Sequence, residues 1–227
     1  AKVRWLISQA MGGKKINVGH AGPLDPLATG VLILCTGRAT KRIEALQSGV
    51  KEYIATLRLG ATTPSFDLEQ ENDQPDPTDH LTREAGERDH TTFVGENMQV
   101  PPVFSACKVE GKRAYDLARK GQKAEEVQLK AKPLRIDEIE LLEADLGGET
   151  PSITIRVVCS KGTYIRALAR DIGEALNSGA HLTALRRTRV GEYGEKDCFT
   201  LESFEEWLAQ QDVETELPEN LAHKENA

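Results

Sequence analysis

The order in which strand-like and helix-like segments follow one another constrains the fold more than any other feature of the sequence. Alternating apolar and polar residues predict strands, and apolar residues at helical spacing predict helices. The predicted strands are 51–60, 103–109, 134–142, 152–159 and 185–193, and the predicted helices are 3–10, 38–46, 112–120, 164–176 and 201–208. The two kinds of segment are mixed without regular alternation, which favours an α+β fold over a doubly wound α/β fold.

The 227 residues suffice for one large domain or two small ones. The net charge of -7 is uneven, because residues 61–100 carry two Lys or Arg against ten Asp or Glu, and residues 192–227 carry two against eleven. A basic binding face with acidic appendages would give this pattern, and so would charges that only solvate the surface. The acidic, proline-containing stretch 62–90 is predicted to be a long loop with one helix near its end and to act as a mobile arm. The tail after Gln211 is predicted to be disordered.

Several classes of protein are disfavoured by what the sequence lacks. The longest apolar run, Val31 to Cys35, is too short to cross a membrane, and no secretory leader is expected at the start. The four cysteines are widely and irregularly spaced, which argues against a disulfide framework and predicts a cytoplasmic location. No histidine lies three or four residues from another His or Cys, so we expect no metal. The glycine spacing fits neither a P-loop nor a dinucleotide-binding fingerprint.

Asp25 lies in a glycine- and proline-rich stretch that runs from Gly19 to Gly30. Two prolines stiffen this stretch and its glycines allow it to bend. Such a loop can hold one carboxylate in a fixed geometry, as a nucleophile requires. Alternatively, Asp25 begins a turn and caps a helix.

Two further stretches carry residues that could pair with a carboxylate, stack on a base or contact a phosphate. Arg166 follows Tyr164 at the start of a predicted helix, where the Arg could pair with a carboxylate and hold it ionised. The Tyr could stack on a base or transfer a proton. An ordinary strand-to-helix junction is the alternative. In residues 101–115, basic and aromatic residues are interleaved, which suits either phosphate contact or a solvated face.

Taken together, these stretches resemble the TruB family of tRNA pseudouridine-55 synthases. The resemblance spans about residues 1–193 and rests on five motifs that occur in the family's order. They are Gly19 to Gly30 with Gly37 to Lys41, Lys51-Glu52-Tyr53 with Leu59-Gly60, Pro101 to Tyr115, Cys159 to Arg166, and Gly179 to Leu182 with Leu185-Arg186-Arg187. The chain departs from the family at Ala21, Pro23 and Pro64, where small polar or acidic residues are usual.

The resemblance implies a catalytic domain over residues 1–193, built on a mixed, mainly antiparallel sheet flanked by helices. It implies a mobile RNA-contacting arm at about 62–100. Residues 194–227 are expected to form only a short acidic helix and tail, without the PUA RNA-binding domain of many family members. The family's N-terminal Lys-Pro-x-Gly-x-Thr-Ser motif is also expected to be absent.

The resemblance also implies which residues react. Asp25 matches the catalytic aspartate that attacks the target nucleoside, and Arg166 matches the arginine that pairs with it. Tyr53 matches the tyrosine that packs on the target uracil and serves in proton transfer. The isomerisation breaks the N–C1′ bond, rotates the uracil and joins C5 to C1′, so no cofactor or metal is expected. Attack of the aspartate on C1′ and a glycal-type route both remain open.

Four more residues are implied to contact the substrate. Tyr164 and Leu185 match residues that line the uridine pocket. His20 matches the histidine that enters the RNA loop where the target base leaves, and Lys41 resembles a basic residue near the phosphate backbone. The implied partner is the T-arm of tRNA. The protein is expected to be a cytoplasmic monomer that needs no obligate protein partner and does not associate with a membrane.

The function implied is isomerisation of uridine 55 in the T-loop. A second interpretation is a tRNA-folding chaperone that acts without catalysis and does not need Asp25. A third is the RNA-guided relative of the family. The residues from Asp25 to Gly30 resemble the stand-alone enzymes instead, and the expected lack of a PUA domain also disfavours the guided type.

Overall fold

The computed structural model describes residues 1–70, 75–82, 90–105, 108–109, 112–113 and 129–211. The helices are α1 (Lys2–Ala10), α2 (Ile43–Ser48), α3 (Ile165–Ala175) and α4 (Leu201–Ala209), with short 3₁₀ helices at Gly37–Arg42, His90–Phe93 and Glu195–Asp197. The strands are β1 (Val18–His20), β2 (Ala28–Gly30), β3 (Leu34–Thr36), β4 (Lys51–Leu59), β5 (Gly95–Gln99), β6 (Lys108–Val109), β7 (Lys112–Arg113), β8 (Lys132–Asp145), β9 (Ser152–Cys159), β10 (Ala180–Val190) and β11 (Tyr193–Gly194).

A seven-stranded sheet organises the described residues. Its order is β11-β10-β4-β9-β8-β5, and β2 also pairs with β10. The pairing of β2 with β10 is parallel, and the other pairings in this sheet are antiparallel. Strands β1 and β3 form a separate two-stranded ribbon. The prediction of an α+β fold with a mixed, mainly antiparallel sheet is therefore confirmed.

The core lies between one face of this sheet and helix α3. On β4 the odd-numbered residues face inward, and Ala55, Leu57 and Leu59 are almost completely buried. Leu168 and Ile172 of α3 pack into the same cluster. This packing places the first turn of α3 over the end of the sheet at which β4 begins.

The longest predicted elements are confirmed. Helices α1, α3 and α4 and strands β4, β8 and β9 lie where the sequence patterns predict them, and β8 extends beyond the predicted bounds at both ends. Strand β10 overlaps the predicted strand 185–193 but begins earlier, at Ala180, and ends earlier, at Val190. Residues 38–46 are helical in two pieces, the 3₁₀ helix Gly37–Arg42 and α2. No helix among the described residues is long and apolar enough to cross a membrane.

Residues 95–99, at the end of the predicted arm, form strand β5 at the edge of the sheet, because pairing with β8 outweighs their polar composition. Two predictions of local structure are wrong in whole or in part. Of the predicted strand 103–109, Lys108–Val109 form strand β6 as predicted, whereas Val103 to Ser105 form a bend, since the preceding prolines have no N–H to donate and Ser105 N donates to Val103 O. Lys112–Arg113 pair with Lys108–Val109 as strands and do not begin a helix. The rest of the predicted helix 112–120 and the predicted disordered tail lie outside the described residues.

Candidate active site

A cleft of about 460 Å³ opens beside the first turn of α3. Its lining comes from the loop before β2, the start of β4, residues 104–105, the segment 160–166 and the middle of β10. Five of the seven predicted site residues line it, namely Asp25, Tyr53, Tyr164, Arg166 and Leu185. The fold therefore brings together side chains that are distant in sequence.

Asp25 and Arg166 form an ion pair in this cleft. Arg166 Nε donates to Asp25 Oδ2 over 2.9 Å, and Arg166 Nη2 donates to Asp25 Oδ1 over 3.3 Å. The Arg166 side chain is 4% exposed, whereas that of Asp25 is 38% exposed. The guanidinium thus holds the carboxylate from the protein side, and part of the carboxylate faces the cleft. The pairing predicted for these two residues is present in the structure.

A second carboxylate, which the sequence did not single out, lies beside Arg166. Asp67 is completely buried, and its Oδ2 is 3.7 Å from Arg166 Nε. Its Oδ1 accepts a hydrogen bond from the backbone N–H of Glu69. Arg166 Nη1 also donates to the carbonyl of Ser65 over 3.2 Å. Asp67 lies within an acidic stretch, so charge patterning did not distinguish it from its neighbours.

Tyr53 lies on the inward face of β4, directly opposite Arg187 of β10 in the sheet register. Burial raises the pKa of the Tyr53 hydroxyl, and the negative charge of Asp25 raises it further, while contact with Arg187 opposes both effects. Tyr53 is therefore a neutral phenol near neutral pH, able to donate a hydrogen bond into the cleft.

Lys51 is a buried cation that also lines the cleft. Its Nζ donates to the carbonyl of Gly49 over 2.5 Å and to the carbonyl of Gln47, at the end of α2. Burial lowers the pKa of Lys51, and the positive charge of Arg187 lowers it further. The sequence signal for such a residue is a charge at an inward-facing position of a strand, two residues before Tyr53.

Gln99 holds the backbone of Tyr164. The side-chain Nε2 of Gln99 donates to Tyr164 O over 3.2 Å, and Tyr164 N donates to Gln99 Oε1 over 3.0 Å. Gln99 is 5% exposed and ends strand β5. It therefore links the edge of the sheet to the residue before α3. Leu185, another residue that lines the cleft, is buried in the middle of β10, where it pairs with Ala28 of β2 and Ala55 of β4.

His20 and Lys41 are not among the residues that line the cleft. His20 is exposed at the end of β1, opposite Leu34 of β3. Lys41 is exposed in the 3₁₀ helix Gly37–Arg42. Both side chains are thus accessible from outside, and their contacts with RNA stay predictions.

The chemistry available in the cleft follows from this arrangement. A partly exposed carboxylate held by a buried guanidinium suits nucleophilic attack or proton abstraction. The cleft volume lies within the range of small-molecule sites. Its lining combines apolar side chains such as Leu24 and Leu185 with several charged ones, as a site for a base attached to a sugar and phosphate requires. Among the described residues no group of three His, Cys, Asp or Glu could hold a metal ion.

Known proteins and protein families match most of the sequence. The TruB family pseudouridylate synthase (N terminal domain) matches residues 9–165, and the tRNA pseudouridylate synthase B C-terminal domain matches residues 166–227. The tRNA pseudouridine synthase B of Phocaeicola vulgatus is 67% identical over 218 residues, which are 96% of this chain and 90% of that protein. The protein of the same name from Bacteroides thetaiotaomicron is 65% identical over the same shares of both chains.

Solved structures show the same fold. A chain in the structure of a Cbf5-Nop10-Gar1 complex aligns with a TM-score of 0.64 and 28% identity, covering 90% of this chain and 49% of the matched chain. A chain in the structure of an H/ACA RNP bound to a substrate RNA containing 2′-deoxyuridine aligns with a TM-score of 0.61 and 26% identity, covering 91% of this chain and 48% of the matched chain. Together with the family match over most of the sequence, these relatives show that the chain belongs to the TruB family of pseudouridylate synthases and is an enzyme that forms pseudouridine in tRNA.

Proposed function

We propose that the chain isomerises uridine 55 in the T-loop of tRNA, with Asp25 as the nucleophile and with the target nucleotide turned out of its stack into the cleft. One observation carries the proposal. The Asp25 carboxylate is partly exposed inside a nucleotide-sized cleft and is held at both oxygens by the buried Arg166.

In the reaction, an Asp25 oxygen bonds to C1′ while the N–C1′ bond breaks and the electron pair leaves with the uracil. The detached uracil rotates, C5 bonds to C1′, the carboxylate leaves, C5 loses its proton, and N1 takes up a proton. In the glycal-type alternative, Asp25 takes the C2′ proton as the N–C1′ bond breaks, which leaves a C1′=C2′ double bond, and returns the proton to C2′ when C5 bonds to C1′. Both routes begin with the ionised carboxylate, which the ion pair with Arg166 favours.

Tyr53, Tyr164 and Leu185 form the proposed uracil pocket. The neutral Tyr53 phenol packs on the uracil and enters proton transfer in its donor form, because burial raises its pKa. Tyr164 and Leu185 line the walls around the base. Such a pocket permits rotation of the detached uracil and keeps it close to C1′.

Turning a nucleotide out of its stack costs a few kcal/mol. We assign part of the compensation to His20, which is exposed on the ribbon strand that precedes the Asp25 loop and can fill the vacated place in the RNA. Lys41 is exposed and can contact the phosphate backbone, which predicts binding that weakens as salt rises.

The proposal also concerns the assembly that acts. The enzyme works in the cytoplasm as a monomer, with the T-arm of tRNA as its partner and without a cofactor or an obligate protein partner. In support, Asp25, Tyr53, Tyr164, Arg166 and Leu185 all come from one chain. Residues 1–193 form the proposed catalytic unit, and 194–227 are an acidic appendage to it.

A nucleoside assay on an unmodified tRNA transcript tests the proposal, with Asp25→Asn as the variant and Asp145→Asn, at the exposed end of β8, as the control. We expect pseudouridine at position 55 from the parent and the control, none from Asp25→Asn, unchanged tRNA binding in all three, and no product from a transcript with cytidine at 55. Product at another position would overturn the assignment of the target, and activity of Asp25→Asn would overturn the nucleophile. Refolding of tRNA without any product would favour the chaperone interpretation.

A further inference from the structure

We propose that Arg187 is a positioning residue of the reaction, which fixes the loop that carries Asp25. The inference rests on the role of Asp25 given under Proposed function. Arg187 itself touches no reacting atom in this scheme and acts through the loop from Gly22 to Val31, called here the aspartate loop.

The side chain of Arg187 binds the aspartate loop on both sides of Asp25. Nε donates to the carbonyl of Val31 over 2.8 Å, Nη2 to the carbonyl of Gly22 over 3.1 Å, and Nη1 to the carbonyl of Pro23 over 3.4 Å. Gly22 and Pro23 precede Asp25, and Val31 follows it. One planar guanidinium therefore sets the distance between the two ends of the loop.

The backbone of Arg187 binds the same loop a second time. Its carbonyl accepts from Val31 N over 2.8 Å, and it lies opposite Gly30 where β2 pairs with β10. Gly30 has φ +100°, and a Cβ placed on it would lie 2.2 Å from Arg187 O. A glycine is therefore required at this crossing, and the loop cannot shift along β10 without breaking the pairing.

The environment of the guanidinium is unusual for a structural arginine. Arg187 is 3% exposed, and among the described residues no carboxylate lies within ion-pair distance of it. Its hydrogen bonds go to backbone carbonyls of the aspartate loop, and Tyr53 lies opposite it where β4 pairs with β10. Burying a cation without a carboxylate is costly, and an apolar side chain of similar size would avoid that cost. We infer that the buried charge of Arg187 is retained because the guanidinium holds the loop carbonyls beside Asp25 in place.

Loss of these bonds predicts a defect in the chemical step and not in tRNA binding. Without the guanidinium, three carbonyls lose their donor and the aspartate loop gains freedom. A displacement of about 1 Å at a reacting group costs on the order of a hundredfold in rate. We expect Arg187→Met to lower kcat by about that factor. Arg187→Lys should lower it less, since an ammonium reaches fewer of the carbonyls, and the Kd for tRNA should change little in both variants.

The experiment compares Arg187→Met and Arg187→Lys with Arg189→Met and Arg189→Lys. Arg189 lies two residues further along β10, where its side chain donates to the carbonyl of Gly191 and pairs with Glu52, outside the aspartate loop. Single-turnover pseudouridine formation gives the rate, titration gives the Kd for tRNA, and all assays run well below the Tm of each variant. Hydrogen exchange of a peptide covering residues 20–33 reports on the order of the aspartate loop.

We expect slower chemistry and faster exchange in residues 20–33 for the Arg187 variants alone. Rates like the parent's in folded Arg187 variants, or a rate loss explained entirely by weaker tRNA binding, would overturn the inference. If Arg187→Met does not fold, Arg187→Lys carries the test with the same outcomes. Asp25→Asn is assayed in parallel. Full activity of Asp25→Asn would show that the proposed function is wrong. If Asp25→Asn is inactive while the Arg187 variants are fully active, only the positioning role of Arg187 is wrong.

Discussion

Arg166 binds both carboxylate oxygens of Asp25, across 2.9 Å from Nε to Oδ2 and 3.3 Å from Nη2 to Oδ1. The bidentate geometry fixes the plane of the carboxylate as well as its charge. A lysine in place of Arg166 would keep the positive charge but could not make the two parallel hydrogen bonds of the guanidinium.

We therefore expect Arg166→Lys to lower kcat by about a hundredfold, because the nucleophile is misplaced, with tRNA binding nearly unchanged. Single-turnover assays and a tRNA titration measure the two effects. Arg170→Lys, one turn further along α3 and paired with Asp171, is the matched control and should retain activity. An equal loss in both variants would show that the helix, and not the Asp25 pair, is responsible.

Asp67 gives a second prediction, since it is fully buried with Oδ2 3.7 Å from Arg166 Nε. Asp67→Asn keeps the shape and removes the charge that shares the guanidinium with Asp25. We expect a loss of stability of about 1–3 kcal/mol and a lower kcat, because Arg166 is then drawn towards Asp25 alone and its orientation is less constrained. Urea unfolding and single-turnover kinetics provide the two measurements. Asp145→Asn, at an exposed position, should change neither, and unaltered kinetics in Asp67→Asn would contradict the prediction.

A comparison of Gln99→Ala with Asn97→Ala tests whether Gln99 acts in the site or only in stability. Both lie on β5 and both donate side-chain hydrogen bonds to backbone carbonyls, Gln99 to Tyr164 and Asn97 to Phe93 and Gly95. Each change to alanine should cost about 1–3 kcal/mol of unfolding free energy. Only Gln99→Ala should also slow pseudouridine formation, because only Gln99 holds a residue that lines the cleft. Equal rates in the two variants, each measured in the folded state, would remove Gln99 from the site.

The elements predicted best are those whose sequence pattern is long. Strands β4 and β9 alternate over most of their length, and α3 carries an apolar stripe, so local pattern and tertiary packing agree. Short elements were predicted poorly because their structure depends on distant partners. Strand β5 has a polar sequence and forms only because β8 lies beside it.

The residues of the candidate site were also predicted only in part. Five predicted residues meet in the cleft. Each of these residues by itself left other interpretations open, and the resemblance to a family selected them. Lys51 and Arg187 belong to two of the motifs that carry the resemblance, but neither they nor Gln99 were predicted as site residues, because a buried polar side chain that binds backbone carbonyls has no sequence pattern that reveals this role. The available signal was positional. Lys51 and Arg187 occupy inward-facing positions of strands, in line with Tyr53 and Leu185, where an apolar residue is the norm.

The pKa of Tyr53 gives a prediction about pH. Burial raises this pKa in the folded state above the value of about 10 expected in the unfolded chain. The folded state therefore holds the phenolic proton more tightly. The resulting stability is fully present below pH 10 and is lost as pH rises from the unfolded pKa through the folded one.

Tyr53→Phe removes this dependence, so the difference in unfolding free energy between the parent and Tyr53→Phe should shift in favour of the variant between about pH 8 and pH 11. Urea unfolding at several pH values measures the difference, with both proteins carrying Cys159→Ala, because burial raises the pKa of Cys159 to about 11 and its charge acts on Tyr53. Tyr193→Phe, on β11 outside the cleft, controls for loss of a tyrosine hydroxyl elsewhere. A difference that stays constant across this range would show that the Tyr53 hydroxyl does not lie in the buried environment described here, and its assignment as a neutral donor would then fail.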